Sequence, residues 1–479
     1  MGSLTEAAVS RTDLELSQIP RRSGRPLGPG DGRRHDVPHS HDHGHDHSQN
    51  QDRVDDYEAA AAAHGAHELK PVDRGRDAWQ VLIAGFVLDG LFWGFPMCFG
   101  VFQDYYSRLP EFTHAGADIP TIGVLSQSLW YLGAPFSAAL TRRLPKYQRH
   151  QICLGWLLAV LGLLSASFAR SVGGLIGTQG FLYGLGFSLL SMPIMSMLNE
   201  WWVAKKGMAF GLIAASSGVT GSVLPFLLDW LLRRHGHRTA LRACAAAMTL
   251  LSLPLLPLFR NRLPPSEQAV LARPDWRFLR APLFWIYSSA VLVQGMGFYY
   301  PLVFLPSYAS SVGVPSLQGA LLVSLMSIFQ VLGQFAFGWL SDKNISPSLL
   351  ACVCALTAAA ASFTFWGLAK SLAFLVVFSL LYGFFAFGFG TMRVAMGRAV
   401  SDDPSTVFAI YPILVFLQGV GNILTGPLSS VLIASKQPVR EQYAAGRYDA
   451  VVIMTGATSC GAALIMMLWH GQRLKQICT

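Results

Sequence analysis

The chain has 479 residues, of which 52% are hydrophobic and only 13% are charged, and its net charge at pH 7 is +9. A mean hydropathy of +0.40 is too high for a water-soluble protein of this length, so the composition excludes a soluble enzyme or binding module. The basic residues stand in short clusters between apolar runs, a pattern that indicates orientation in a membrane and not binding of nucleic acid.

Residues 1–77 are rich in Arg, Asp, His, Gly, Pro and Ala and hold almost nothing to bury, which predicts a disordered tail. Within this tail, residues 39–47 read HSHDHGHDH. Alternating imidazoles are good ligands for zinc or copper, but an incidental, solvated histidine run is the alternative, because nothing in the sequence fixes the ligand geometry. We therefore predict no metal centre and no cofactor.

Twelve apolar spans follow the tail, each long enough to cross a hydrocarbon core of roughly 30 Å as a helix. Numbered 1 to 12 in chain order, they begin near Trp79, Ile119, Gln151, Val172, Gly207, Thr239, Pro282, Ser316, Ser348, Ser371, Thr406 and Asp449. Residues 260–281 are the longest polar interior break and divide the spans six and six.

The predicted organisation has five parts. A cytoplasmic tail (1–77) precedes an N-terminal six-helix half (78–259), a cytoplasmic linker (260–281), a C-terminal six-helix half (282–470) and a short cytoplasmic tail (471–479). The excess of Lys and Arg in the loops on the side of the linker and tails predicts that both termini lie in the cytoplasm.

Span 5 carries a stripe of small residues spaced four apart, which includes Gly207, Gly211, Gly218 and Gly221. In lipid such a stripe lets two helix backbones approach closely, because packing and not hydrophobic burial drives helices together there. We predict that these glycines form a helix-packing face. Periodicity does not distinguish a fixed face from one along which helices rock.

The two halves repeat each other at matched places, as expected of a transporter built from repeats. The pairs are Asp89-Gly90 with Gln294-Gly295, Leu182-Tyr183-Gly184 with Leu381-Tyr382-Gly383, Ser217-Gly218-Val219 with Gln418-Gly419-Val420, and residues 138–143 with residues 338–343. Four matches in the same order indicate an internal duplication.

Span 5 also carries a family resemblance. Its residues Trp202, Lys205, Lys206, Gly207, Ala209, Gly211, Leu212, Ala215, Ser216, Gly218 and Gly221 resemble the fifth-helix signature of the monocarboxylate transporters, a branch of the major facilitator superfamily. Residues 73–79, DRGRDAW, resemble a weakened form of that family's first signature, and residues 94–102, GFPMCFGVF, follow its pattern in span 1.

Over about residues 73–470 the chain is similar to the fungal members of this family, which have long tails. The resemblance implies an all-α membrane protein with twelve transmembrane helices in two pseudo-symmetric six-helix halves, the major facilitator fold. It also implies that the protein is not an enzyme.

Residues 338–343, GWLSDK, resemble the superfamily's loop motif, in which an aspartate and a basic residue latch neighbouring helix ends. The resemblance makes Asp342 and Lys343 candidate latch residues. In the first copy of the motif Arg142 stands where the aspartate would be, and whether this half has a latch stays open.

The resemblance makes helices 1, 4, 7 and 10 the cavity helices. Asp89 in span 1 and Gln294 in span 7 lie about 15–18 Å below the cytoplasmic face, near the midplane. Tyr183 and Tyr382 lie at a similar depth in spans 4 and 10. A carboxylate at this depth costs about 2.5–3.5 kcal/mol, so Asp89 needs either a function or a structural hydrogen bond.

Our hypothesis is that Asp89 carries a coupling proton, because a carboxyl group that is dry in one state and hydrated in another can bind and release one. Gln294, Tyr183 and Tyr382 would then hydrogen-bond the solute. Trp93, one turn above Asp89, walls the cavity or merely packs. For Arg393, near the cytoplasmic end of span 10, an interfacial anchor and an anion ligand are both open.

Two departures from the family pattern bear on the solute. Met97 stands where the resemblance expects a proton-linked lysine, and span 8 lacks the charged aspartate and arginine of the animal lactate carriers. The sequence therefore does not predict proton-coupled lactate transport of that kind.

The predicted function is secondary active transport of a small organic solute, a monocarboxylate or a related metabolite, by alternating access with optional proton coupling. The chain has no Walker motif, so a gradient must supply the energy. The predicted partners are the solute, the lipid bilayer and protons, for a monomer in the plasma membrane.

Three alternatives remain open. One is an efflux carrier with a broad hydrophobic cavity, and another is a non-transporting nutrient sensor that signals through the N-terminal tail. The third, a metal carrier, is suggested only by the tail histidines, because the spans lack clustered metal ligands.

Overall fold

A computed structural model describes residues 70–112, 118–264, 274–343, 345–434, 443 and 448–478, with the side chains at 316, 425–434 and 468–478 left out. The histidine run at 39–47 and nearly all of the predicted N-terminal tail lie outside the described residues, as does the middle of the predicted linker.

Helices account for the membrane region of the described chain, and they correspond in order to the twelve predicted spans. In the N-terminal half they are α1 (Arg76–Ser107), α2 (Ile119–Arg143), α3 (Gln148–Ala166), α4 (Val172–Trp201) and the segment Lys206–Ser252, which comprises α5 (206–235) and α6 (237–252). In the C-terminal half they are α7 (Pro282–Ser311), α8 (Ser316–Leu340), α9 (Pro347–Trp366), α10 (Leu372–Val400), α11 (Pro404–Ala434) and α12 (Asp449–Cys478).

The segment Lys206–Ser252 is continuous in its hydrogen bonding but changes direction at Gly236, whose φ of 77° lies in the left-handed region that favours glycine. This break separates α5 from α6. Ten segments of the described chain, with α5 and α6 taken as one, are long and apolar enough to cross a membrane. Helix α2 has 25 residues, which is also a sufficient length.

The packing of the helices repeats between the halves. Helix α1 packs on α5 as α7 packs on α11, and α2 packs on α4 as α8 packs on α10. Helix α3 contacts α4 and α6, and α9 contacts α10 and α12 in the same way. The halves meet through α5 with α8 and through α2 with α11, so the interface between them is also two-fold.

In two of the predicted sequence repeats, the glycines lie at contacts between these helices. A Cβ atom on Gly184 of α4 would lie 2.8 Å from the Ser126 carbonyl oxygen of α2, and one on Gly383 of α10 would collide with the Met326 carbonyl of α8. Likewise, a Cβ on Gly295 of α7 would lie 2.8 Å from a carbonyl oxygen of α11. The duplicated glycines are therefore the points where backbones touch.

The predicted glycine stripe of α5 packs on α8 of the other half. A Cβ atom on Gly211 would lie 2.7 Å from the Gln334 carbonyl oxygen and 2.9 Å from the Gly338 Cα. Gly207 touches the same stretch of α8, and a Cβ on Gly218 would lie 2.8 Å from the Ser327 carbonyl oxygen.

Gly221 departs from this pattern, because its Cβ would reach nothing closer than 3.5 Å. The stripe is therefore a tight seam at Gly207, Gly211 and Gly218 and an ordinary contact at Gly221. We call the end of the bundle that holds Gly207 and Asp342 the Asp342 end.

Candidate functional site

Five polar residues from both halves interact electrostatically inside the bundle. They are Asp89 of α1, Tyr131 of α2, Tyr299 at the break in α7, Arg393 of α10 and Tyr411 of α11, and we call them the central cluster. The hydroxyl oxygens of Tyr131 and Tyr299 lie 3.1 Å apart, so one hydrogen bond joins the two halves. Arg393 interacts electrostatically with all three tyrosines, and Asp89 interacts with Tyr131 and Tyr411.

Arg393 is half-buried, and its Nε and Nη1 atoms are buried without a hydrogen-bond partner in the described part of the chain. A guanidinium stays charged in proteins, and a buried charge without a partner is unfavourable. Its planar donors match the two oxygens of a carboxylate. Arg393 therefore has the chemistry of an anion ligand, and its electrostatic interaction with the tyrosines speaks against the interfacial-anchor alternative.

Asp89 is 6% exposed and accepts a hydrogen bond of 3.1 Å from the Ser216 hydroxyl of α5. Among the described residues, no ion pair involves its carboxyl group. The structure thus contains the hydrogen bond to a neighbouring helix that the sequence left as the structural alternative. It also shows the carboxyl group within the central cluster, as a proton carrier would require.

Trp93 borders the cluster, and Gln294 is buried elsewhere along α7. The Trp93 ring packs against Trp130, Tyr131 and Phe187, with ring centroids 4.6, 5.8 and 5.3 Å away, so it forms an aromatic wall behind Tyr131. Gln294 is 2% exposed, and its Oε1 has no hydrogen-bond partner in the described ranges. Its amide oxygen can therefore accept a hydrogen bond from a protonated group.

Tyr183 and Tyr382 do not belong to the central cluster, and in the state described their hydroxyls bond to backbone carbonyls. The Tyr183 hydroxyl donates to the Phe92 carbonyl at 2.6 Å, and the Tyr382 hydroxyl donates to the Phe298 carbonyl at 3.1 Å. Pro96 has no N–H, so the Phe92 carbonyl four residues earlier lacks its helical donor. Each tyrosine therefore satisfies a carbonyl near the break in α1 or α7.

Replacement of Tyr183 by phenylalanine is expected to lower the free energy of unfolding by about 1–3 kcal/mol, since it leaves the Phe92 carbonyl buried without a donor. Thermal unfolding of the purified protein measures this loss, and the exposed Tyr147→Phe serves as the matched control. Loss of transport with unchanged unfolding would instead restore Tyr183 as a solute ligand.

Sequence reasoning missed Tyr131, Tyr299 and Tyr411. Tyr131 and Tyr411 lie on α2 and α11, which the resemblance does not count among the cavity helices. The internal repeat offered a signal for Tyr131. The second copy has the apolar Val331 at the equivalent place, so the polar hydroxyl is a difference between the two copies. Both residues pack on the glycine of the third repeat, Val331 on Gly218 and Tyr131 on Gly419.

At the Asp342 end, a carboxylate bridges the two halves. Asp342 accepts hydrogen bonds of 2.7 Å from the backbone N–H groups of Gly207 and Met208, at the start of α5. It also accepts one of 2.8 Å from Arg398 of α10. A carboxylate at a helix N-terminus is favourable, because free N–H groups and the helix dipole both attract negative charge.

Asp342 therefore joins the start of α5 to α8 and α10 and stays a candidate latch residue, whereas the described hydrogen bonds of this carboxylate do not involve Lys343. The Lys343 ammonium lies over the Trp339 ring, 4.5 Å from its centroid, and the basic partner of Asp342 is Arg398. Arg142 stands at the place of Asp342 in the first copy of the motif, and its Nη1 is buried without a partner in the part of the chain that the structure covers.

A second carboxylate fixes the same segment from the N-terminal side. Asp73 accepts hydrogen bonds of 3.1, 2.9 and 2.9 Å from the backbone N–H groups of Val203, Ala204 and Lys205. The first residue of the DRGRDAW segment thus caps the α4–α5 turn, and Asp342 caps the helix that follows. Within the described ranges, no group of three or more His, Cys, Asp or Glu side chains is placed to hold a metal ion.

Comparison with known proteins gives one family and several relatives. The sequence profile of the Major Facilitator Superfamily matches residues 110–417. Monocarboxylate transporter 13 of Rattus norvegicus is 27% identical over 421 residues, which cover 84% of this chain and 91% of the relative. The fujikurins efflux protein of Gibberella fujikuroi is 24% identical over 435 residues, which cover 89% of this chain and 90% of the relative.

The fold is also that of solved transporters. The crystal structure of the human organic anion transporter MFSD10 superimposes with a TM-score of 0.60 over 82% of this chain and 99% of the other, at 15% sequence identity. At this identity the likeness speaks for the fold alone. The resemblance to monocarboxylate transporters, first visible in α5, thus extends over most of the chain.

Proposed function

We propose, since the chain belongs to the Major Facilitator Superfamily, that this multi-pass membrane transporter carries a small organic anion whose carboxylate binds Arg393. The observation that carries the proposal is the pair of buried guanidinium atoms, Nε and Nη1, that have no partner among the described residues. A monocarboxylate or a related metabolite would supply the missing charge, and the Tyr131, Tyr299 and Tyr411 hydroxyls would surround it.

Alternating access is consistent with the contacts between the halves at the Asp342 end. In the state described, α5 and α8 are in backbone contact at Gly207 and Gly211, and Asp342 ties the same ends together. Release of solute at the Asp342 end requires that these contacts part. If both termini lie in the cytoplasm, as we propose from the loop charges, this state is closed toward the cytoplasm.

The proposal is tested with the full-length protein in liposomes, loaded in turn with radiolabelled monocarboxylates of increasing size. Exchange is expected for at least one carboxylate and not for its neutral methyl ester, because the ester cannot neutralise the Arg393 charge. Equal exchange of an acid and its ester would contradict the proposal.

A metabolite efflux carrier is a second candidate, favoured by the aromatic surroundings of the cluster. Trp93 packs against Tyr131, and Phe298 packs against Tyr299 and Phe387, with ring centroids 5.0 and 4.7 Å away. Such walls suit an acid with a bulky apolar part. The name of the fungal relative, an efflux protein, supports this direction. Net export from loaded cells, measured against uptake of the same acid, decides between the two directions.

Asp89→Asn is expected to abolish accumulation driven by a pH gradient while solute exchange across the membrane continues. The amide keeps the shape of the side chain and an acceptor for Ser216, but it cannot titrate. The measurement compares gradient-driven uptake with counterflow in the same liposomes. Full gradient-driven uptake by the variant would exclude the proton role, and failure of the variant to fold would assign Asp89 to structure.

A further inference from the structure

A cavity of about 50 Å³ lies at the Asp342 end, separate from the central cluster. Its walls come from both halves, with α2, α3 and α4 on one side and the first turns of α11 on the other. Arg142 and Gln148 line it from the N-terminal half, and Ser405 and Phe408 line it from α11. Anything bound in this cavity contacts both halves at once.

Two buried polar atoms in the walls have no partner within the described residues. Gln148 is 4% exposed, and its Oε1 accepts no hydrogen bond. The Nη1 of Arg142 is also buried and donates to no acceptor. Buried polar atoms are almost always hydrogen-bonded, so the pair indicates an occupant that accepts from Arg142 and donates to Gln148.

The pseudo-symmetry of the fold shows which chemical group is missing. At the equivalent place in the other copy, the Asp342 carboxylate ties α8 to the start of α5. Here Arg142 replaces the aspartate, and α11 is capped by its own Asp403, which accepts from the backbone N–H groups of Ser405 and Thr406 at 3.3 and 3.0 Å. In the described part of the chain, α2 therefore has no aspartate at the place from which Asp342 ties α8 to α5.

One carboxylate already lines the cavity, that of Glu200. Its Oε2 accepts hydrogen bonds of 3.0 and 3.3 Å from the backbone N–H groups of Arg262 and Leu263, which turns this oxygen toward the linker. These bonds do not supply an acceptor to Arg142 Nη1.

We propose that this cavity binds a small hydroxycarboxylate, whose carboxylate accepts from Arg142 and whose hydroxyl donates to Gln148. The bound anion takes the place that Asp342 fills in the other copy and holds the halves together at this end. A ligand that binds only one state shifts the population toward that state, so the anion inhibits transport.

The test uses the full-length protein with Ser196→Cys, a cavity-lining position, as a reporter of occupancy. The rate of alkylation by N-ethylmaleimide is measured with glycolate, the smallest hydroxycarboxylate, and with acetate, which lacks the hydroxyl. Native cysteines are corrected for with the chain that lacks the reporter. Glycolate is expected to slow alkylation at concentrations at which acetate does not.

Arg142→Gln is expected to raise the glycolate concentration required for protection about 10- to 100-fold, because a charge-assisted hydrogen bond is lost. The exposed neighbour Arg143→Gln is the matched control and keeps the protection. Arg393→Gln also keeps it, which separates this site from the proposed solute site. Protection that is absent, equal for the two acids or unchanged in Arg142→Gln would overturn the proposal.

Hydrogen exchange tests the locking effect. Glycolate is expected to slow amide exchange at the start of α11 (404–408) and also at the start of α5 (206–211), which lies outside the cavity lining. Slowing that is confined to residues 404–408 would overturn the locking effect.

Discussion

Arg393→Gln is expected to lower the transport of carboxylates about 100-fold or more, since two charge-assisted hydrogen bonds to the solute are lost. The same variant is expected to unfold at an equal or higher temperature than the parent, because the buried Nε and Nη1 atoms have no partner in the described part of the protein. Lost transport with retained stability is the signature of a residue that serves the solute and not the fold.

Arg393→Lys separates charge from geometry. Lysine keeps the positive charge but lacks the planar pair of donors, so transport is expected to recover only in part. Arg143→Gln, which removes an exposed arginine at the end of α2, controls for the loss of one positive charge. A stability loss that accounts for all of the lost transport would show that Arg393 is structural.

Gly211→Leu is expected to prevent close contact between α5 and α8 and to reduce the folded yield several-fold. A Cβ alone would lie 2.7 Å from the Gln334 carbonyl oxygen and 2.9 Å from the Gly338 Cα, and neither backbone atom can move aside like a flexible side chain. Overpacking usually costs about 1–3 kcal/mol, which is a large fraction of the stability of most proteins.

The matched control is Gly221→Leu, on the same helix but at a position where a Cβ would reach nothing closer than 3.5 Å. Folded yield is compared by size-exclusion chromatography in detergent, and transport is measured on the monodisperse fraction. Any Gly211→Leu protein that folds is expected to be fixed with the Asp342 end apart. Normal yield and normal transport of the Gly211→Leu protein would contradict the close contact between α5 and α8.

Much of the architecture could be predicted from the sequence. The long apolar helices and the duplicated motifs follow from hydropathy and spacing, because a bilayer demands long apolar helices with satisfied backbones. The glycine stripe was recognisable for a similar reason, since only small residues allow backbones to touch in lipid. Asp89 was recognisable as a candidate, because a carboxyl group is conspicuous in an apolar span.

The hydrogen-bond partners of these side chains could not be predicted, because they depend on how helices far apart in sequence face one another. Tyr183 and Tyr382 share the depth of Asp89, but their hydroxyls cap carbonyls within each half. Tyr131 and Tyr299 lie 168 positions apart, and only the contact between the two halves brings their hydroxyls together.

The partners of the charged side chains could not be predicted from the sequence either. Depth alone left Arg393 open as an anchor at the membrane surface, and the loop motif suggested Lys343 as the partner of Asp342. The tertiary structure brings Arg393 close enough to Tyr131 and Tyr411 to interact electrostatically with them, and it pairs Asp342 with the Arg398 side chain. Sequence spacing determines which side chains share a helix face and depth. The rotation and contact of the two six-helix halves decide which of those side chains meet, and hence where an anion can bind.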